Sequence, residues 1–384
     1  MTIDFFWRLP THGCSSSIRT RGLNRGDWSP LKAGNQAPGL WNGESDGKTY
    51  IDHVAQIAKA AEISGFHGGL IPSFPMTDDP WVISSQLARE TKTFRFMIAF
   101  QPGFLNPVEA ARFSASLQRA TGGRTVYNII TGGGGPSQLW WGDSFSHDDR
   151  YGRTTEFLDI LKGVWKEGPF SYDGKFYQVE NGALPAALAA TDIPEIYFSG
   201  SSDAALVSAS KHADYYLSWL EPFEPLAKKF AAVKEKTDRL GREIKCSVRV
   251  DLVARPTEEE AWADIKAGFE SLTSADRDVM RSSGGDSIGA ARQNAFRPAD
   301  AQRYEDLIIA PNLWSGFSLL RGGPAIGIVG SYEQCAQKLD ELIQLGADSF
   351  ILAGTPHLEE AYRVGEEVLP LVTGRRAQIS IAAE

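Results

Sequence analysis

Thr125-Val-Tyr-Asn-Ile-Ile-Thr-Gly-Gly-Gly-Gly-Pro136 decides how the rest of the chain is read. A short β-branched and aromatic run is bounded by Gly122-Gly123 before it and four glycines after it, the pattern of a buried strand feeding a loop with almost no side chains. Such a loop lets backbone N–H groups approach a ligand closely. Trp140-Trp141-Gly142, Ser144 and His147-Asp148-Asp149-Arg150-Tyr151 follow. Bare donors, then aromatics, then charges make a mouth suited to a planar anionic ligand. A mobile surface loop is the competing reading, since a glycine run alone is a weak motif.

The same short apolar strands recur from end to end, at 3–10, 68–72, 94–100, 125–130, 196–199, 214–219, 246–254, 326–330 and 349–354, with helical spacing between them. Helices are expected over 50–64, 81–91, 107–120, 151–165, 202–212, 221–241, 258–272, 331–345 and 358–372. Asn106 is the expected cap before Pro107, and Asp173-Gly174 a hairpin turn. Alternating strands and helices predict a parallel sheet covered by helices. With at least eight strands and no G-x-G-x-x-G after the first, the fold class is α/β, a (β/α)8 TIM barrel with insertions, rather than an open dinucleotide-binding sheet. One domain spans 1–384, with an inserted loop at 14–49. Residues 273–305 carry little apolar periodicity.

Composition narrows the function. The 384 residues are 42% hydrophobic and 23% charged, with a net charge of −9 and no basic stripe, which argues against nucleic acid. Three scattered cysteines and six histidines form no metal pair or disulfide framework, so no metal is expected and a reducing cytoplasm fits. No stretch reaches the roughly 18 apolar residues of a membrane span.

Barrel ligands lie at the C-terminal strand ends. Those ends offer Thr11 and His12; Thr77 and Asp78; Gln101; Asn128, Thr131 and Gly132; Gly200, Ser201 and Ser202; Trp219 and Glu221; Arg249 and Asp251; and Thr355 and His357. Gly200-Ser201-Ser202 opens a helix and suits a phosphate, or simply caps that helix. Arg249 and Asp251 share one face of an apolar strand, as functional groups or as a mutual ion pair. Arg321, before Gly322-Gly323, is an anion clamp or a solvated arginine. His12 and His357 converge from the first and last strands. Glycines, hydroxyls and arginines without a nucleophile–base pair suggest that a cofactor does the chemistry.

Several long stretches carry a resemblance: Phe6-Trp-Arg-Leu-Pro-Thr-His-Gly13, Leu70-Ile-Pro-Ser73, Tyr127-Asn-Ile-Ile-Thr-Gly132, Tyr197-Phe-Ser-Gly-Ser-Ser-Asp203, Ala310-Pro-Asn-Leu-Trp-Ser-Gly316, Leu320-Arg-Gly-Gly323 and Pro356-His-Leu-Glu-Glu-Ala361. Nearly end to end, the chain resembles the two-component alkanesulfonate monooxygenases of the bacterial-luciferase superfamily. The resemblance implies reduced FMN delivered by an NAD(P)H-dependent FMN reductase. It also implies O2-dependent cleavage of the C–S bond of a small organosulfonate, giving sulfite and an aldehyde. By the same resemblance, Asn128, Thr131, Gly132, Tyr151, Gly200, Ser201 and Ser202 hold FMN. Trp219, Arg249, Asp251, Arg321 and His357 act in catalysis, with His12, Thr77 and Thr355 at the substrate and 273–316 as a mobile lid. A homo-oligomer, dimer or tetramer, is expected. Three positions depart from the family pattern: Thr77 for a cysteine, Asp251 for a histidine and Thr355 for a tyrosine. These leave room for a bulky or hydroxylated sulfonate, or for a sulfone, amine or heterocycle instead.

Overall fold

The computed structural model describes residues 3–11, 50–74, 77–166, 168–272, 285–298, 301–320 and 323–373. The expected inserted loop at 14–49, His12 and Arg321 lie outside them. Chain order runs β1 (Asp4–Arg8), α1 (Tyr50–Ile63), β2 (Gly68–Ile71), α2 (Pro80–Glu90), β3 (Arg95–Phe100), α3 (Pro107–Thr121), β4 (Thr125–Ile129), α4 (Pro136–Trp140) and α5 (His147–Trp165). The hairpin β5 (Phe170–Asp173) and β6 (Gln178–Gly182) follows, then α6 (Ala186–Ala189), β7 (Glu195–Ser199), α7 (Asp203–His212), β8 (Tyr215–Trp219), α8 (Phe223–Asp238), β9 (Lys245–Arg255) and α9 (Glu258–Glu270). Last come α10 (Ile288–Ala295), β10 (Ile308–Ala310), β11 (Leu313–Trp314), α11 (Phe317–Leu320), β12 (Gly327–Ser331), α12 (Tyr332–Gln344), β13 (Ser349–Ala353) and α13 (His357–Arg363).

Eight parallel strands close on themselves in the order β1–β2–β3–β4–β7–β8–β9–β13, with β13 pairing back to β1. The fold is therefore the expected (β/α)8 barrel. Buried strands need no polar face, so each reads as a near-continuous apolar run. Helix ends are set locally. Asn106 Oδ1 accepts from Val108 N at 2.9 Å, and Asp79 Oδ1 accepts from Trp81 N at 3.0 Å, each with proline next in the chain.

Two expectations shift, and the expected strand near 326–330 is present but outside the ring. β9 runs past the barrel wall, and its last residues, from Asp251 to Arg255, carry β12 in parallel, with β11 and β10 added antiparallel. The hairpin turn is not Asp173-Gly174 alone. Glu156 of α5 accepts from the N–H groups of Lys175, Phe176 and Tyr177 at 2.8, 2.9 and 3.2 Å, so the turn spans 174–177. Helix α5 begins at His147 rather than near Tyr151, because Ser146 caps it and Asp148 and Asp149 sit in its first turn.

Alternate residues fill the barrel: Phe6, Leu70, Met97, Ala99, Val126, Tyr197, Tyr215, Leu217 and Ile351 form one buried cluster. The N-terminal end is plugged. Arg95 pairs with Asp4 at 3.2 Å and with Glu195, and Tyr197 stacks on Tyr215 at 4.2 Å between centroids. That leaves the C-terminal end as the open one. The larger core packs the outer face of the strands against the helices.

Gly68 marks the tightest crossing between β2 and β3. A Cβ there would lie 2.1 Å from the Arg95 carbonyl oxygen, and backbone cannot yield. Gly68→Ala should lower the unfolding free energy by at least about 2 kcal/mol in a denaturant titration. An unchanged midpoint would show that the two strands are not packed this closely.

Candidate active site

The floor of the open end is built by β9. Arg249 is 5% exposed and Asp251 fully buried, on one face, with Arg249 Nη2 donating to Asp251 Oδ1 at 3.1 Å. The ion pair foreseen as one alternative is therefore present. It does not use the whole guanidinium, since the buried Nη1 has no hydrogen-bond partner. Burial pushes this guanidinium down to about 9, so it stays protonated at neutral pH. Trp219 on β8 is level with Arg249 and half-buried. His357, 2% exposed, begins α13; its ring meets Trp7 edge-on at 6.1 Å, and its Nε2 lies 3.4 Å from Arg8 Nη1. Thr355 is buried beside it, before a cis proline peptide.

Arg8 was missed from the sequence. It sits at the end of an apolar first strand, where only the alternation with Phe6, a barrel-interior residue, shows that it turns inward. Thr77 behaves differently. Its hydroxyl closes its own turn, accepting from Phe74 N at 2.9 Å and donating to Phe74 O at 3.0 Å.

On the opposite side, Asn128 Oδ1 accepts from Ser199 Oγ at 3.3 Å, joining the ends of β4 and β7, and Thr131 is buried just beyond. The glycine loop then shows why side chains are missing. A Cβ on Gly132 (φ +86°) would lie 2.1 Å from Gln138 Oε1, and one on Gly134 (φ +66°) would lie 2.5 Å from Asp286 Oδ1. Much of the room that glycine makes is thus taken by protein groups. Gln138 donates to Gln101 and to Asp143, and Arg153 grips Asp143 with two bonds of 3.2 and 2.6 Å. Asp286 N donates to Gly133 O at 2.9 Å, and the buried Arg150 donates to Asp286 Oδ1 at 2.6 Å.

Beside this loop lies the candidate phosphate cradle. Gly200, at φ +153°, sits where a Cβ would come within 2.7 Å of the Tyr151 hydroxyl. Ser202 is the N-cap of α7, accepting from Ala205 N at 3.1 Å, so the capping alternative holds for this serine. Ser201 remains half-buried at the same helix start. Ser287 caps α10 by accepting from Ala290 N at 3.2 Å, and the open side of Gly289 lies 3.8 Å from both Ser201 Oγ and Ser287 Oγ. Two helix N-termini thus meet around two hydroxyls and a missing side chain, an arrangement suited to the phosphate of a flavin mononucleotide.

Helix α10 was not foreseen, because its anchors are polar. Arg292 binds Glu221 at 2.9 and 2.6 Å, and Lys229 binds the same carboxylate at 2.6 Å. Burial would raise the Glu221 carboxyl, but hydrogen bonds from Arg292 and Lys229 hold it below the usual range. Gln293 donates to Leu220 O at 2.9 Å and accepts from Ala325 N and Ile326 N. Of the expected lid at 273–316, residues 285–298 are thus docked on the barrel rim. Among the described residues no His, Cys, Asp and Glu cluster could hold a metal ion, and no helix is long and apolar enough to cross a membrane.

Residues 35–349 match the family model of the luciferase-like monooxygenases. The chain belongs to that family. It is a flavin-dependent monooxygenase by membership. Solved structures agree on the fold. A riboflavin lyase with modified FMN and riboflavin is 17% identical, with a TM-score of 0.73 over 98% of this chain and 92% of its own. An EDTA monooxygenase from Chelativorans sp. BNC1 is 19% identical, with a TM-score of 0.70 over 98% and 95%. A long-chain alkane monooxygenase is 16% identical, with a TM-score of 0.71 over 98% and 92%. The expected cofactor, FMN, is consistent with this family and with the cradle formed by the luciferase-like barrel.

Two measurements bear on the site. Ser201→Ala should weaken reduced FMN binding without lowering the melting temperature, whereas Ser202→Ala should lower both, because it also removes a cap worth about 1 kcal/mol. Equal flavin affinity in wild type and Ser201→Ala would remove the cradle assignment. An anion held by Arg249 binds only the protonated guanidinium, so its affinity should be flat at neutral pH and fall as pH rises through about 9. A profile flat across that value would show that Arg249 does not bind the anion.

Proposed function

We propose that this enzyme is the oxygenating component of a two-component system. Reduced FMN arrives from a separate NAD(P)H-dependent FMN reductase, and a small organic substrate enters at the C-terminal mouth of the barrel. The substrate in this reading is an organosulfonate. One oxygen atom of O2 ends in the aldehyde and the other in water, while the C–S bond breaks to release sulfite and the reduced flavin is oxidised. The observation that carries it is Arg249, a buried protonated guanidinium with one nitrogen lacking a partner. A charged donor left without an acceptor costs about 1–3 kcal/mol or more, which an oxyanion would relieve.

Asp251 favours a second reading. It already answers part of the Arg249 charge, and a carboxylate at that place accepts hydrogen bonds and repels an anion at close range. The substrate is then a sulfone, amine or heterocycle. The proteins that share this fold are named for substrates as different as EDTA, riboflavin and long-chain alkanes, so the fold sets no limit on that choice.

One assay separates the readings. The enzyme, FMN, NADH and a flavin reductase are incubated with sets of sulfonates, sulfones and amines, and sulfite and oxygenated products are measured. Sulfite in step with NADH consumed is the expected result for at least one sulfonate. Product from a sulfone or amine without sulfite would move the assignment to the second reading.

A further inference from the structure

We infer that Tyr216 is a positioning residue for the flavin phosphate: it holds the peptide between Gly200 and Ser201 so that the Ser201 N–H, and not the Gly200 carbonyl, faces that phosphate. This rests on the phosphate cradle and on neither reading of the substrate. Strand alternation puts the phenol in place. Tyr215 and Tyr216 are neighbours on β8 and face opposite ways. Tyr215 fills the barrel against Tyr197, and Tyr216 packs in the outer core. Tyr216 is level with Phe198 of β7, and its side chain reaches two residues further along, where the hydroxyl donates to Gly200 O at 2.6 Å.

That bond acts on a peptide the chain itself leaves loose. Gly200 has no Cβ to restrict its backbone, so the plane between it and Ser201 turns over at little cost. In a trans peptide the C=O and the following N–H point in opposite directions, so turning it exchanges a donor for an acceptor. An anion is attracted by the first and repelled by the second. With the carbonyl oxygen drawn to the phenol, the Ser201 N–H points away from it and joins the donors at the start of α7. A stiffer residue has no room at this position, since a Cβ on Gly200 would lie 2.4 Å from Ala205 Cβ and 2.7 Å from the Tyr151 hydroxyl. The phenol is fully buried; burial, and next the Glu221 carboxylate, push it above the ordinary tyrosine range, so it keeps its proton and donates.

The test compares reduced FMN with reduced riboflavin, which lacks the phosphate, in anaerobic titrations of the full chain followed by quenching of its tryptophan fluorescence. Tyr216→Phe keeps the ring and removes one oxygen. Wild type should bind FMN more tightly than riboflavin. Tyr216→Phe should weaken FMN binding roughly 10-fold and leave riboflavin within about 2-fold of wild type. The phosphorus NMR resonance of bound FMN should also move in the variant, which a purely structural role of the phenol would not produce. If Tyr216→Phe keeps the wild-type ratio of the two affinities while Ser201→Ala narrows it, the cradle stands and the Tyr216 assignment is overturned. Equal losses for both flavins overturn it as well, as the mark of a structural role. A wild type that binds both flavins alike overturns the cradle and the assignment together.

Discussion

A closed ring of strands turns every second residue into an interior from which water is excluded, so each charge placed there needs a partner or a use. At the sealed end Arg95 finds Asp4 and Glu195, and the cluster finishes a packed core. At the open end the same rule is met incompletely, because Arg249 has Asp251 on one nitrogen and nothing on the other. Breaking a buried pair costs about 3–5 kcal/mol, and a protein that needed only stability could fill the place with apolar side chains. Keeping a guanidinium buried with one nitrogen lacking a partner is the kind of local cost that marks a functional position.

The open end draws on residues far apart in sequence, and the glycine loop shows how. Its first signal was a bare loop, and a bare loop suggests a ligand. The structure gives it protein neighbours as well: Gln138 from the next helix, and Asp286 from an insertion, itself held by Arg150 of α5. Glycine is required there for its positive φ and for close approach at once. The candidate phosphate cradle lies just beyond, where α7 and α10 bring their N-termini together.

What was legible in the sequence followed from burial. Strands inside a helical jacket are apolar throughout, so the run at Thr125–Ile129 and its seven counterparts in the ring stood out, and with them the barrel and its C-terminal strand ends. What stayed hidden was set by partners distant in the chain. Helix α10 shows no apolar period because only Gln293 in it is buried and its anchors are ionic. The hairpin turn lengthened because Glu156, on another element, supplied the acceptor. Arg8 looked like the polar end of a strand until the closed ring put it on the same inward face as Phe6. The capping role of Ser202 and the pairing of Arg249 with Asp251 were each one of two open alternatives, because spacing shows which residues are neighbours but not how their atoms meet.

The place of β13 in the ring has a consequence for how the chain comes together. This strand follows every other strand of the ring in chain order, yet it sits between β1, the first of them, and β9. Until it arrives, the facing edge of β1 and the stretch of β9 from Ser247 to Asp251 have no strand beside them. Ring closure thus waits until β13 at Ser349–Ala353 has been made, and its pairing with β1 spans a long sequence separation, which forms slowly because the entropy of closing the loop must be met first. A chain stalled or truncated before Ser349 would keep most of its helices and strands while exposing two apolar edges, which makes such a fragment prone to self-association and an early target for chaperones.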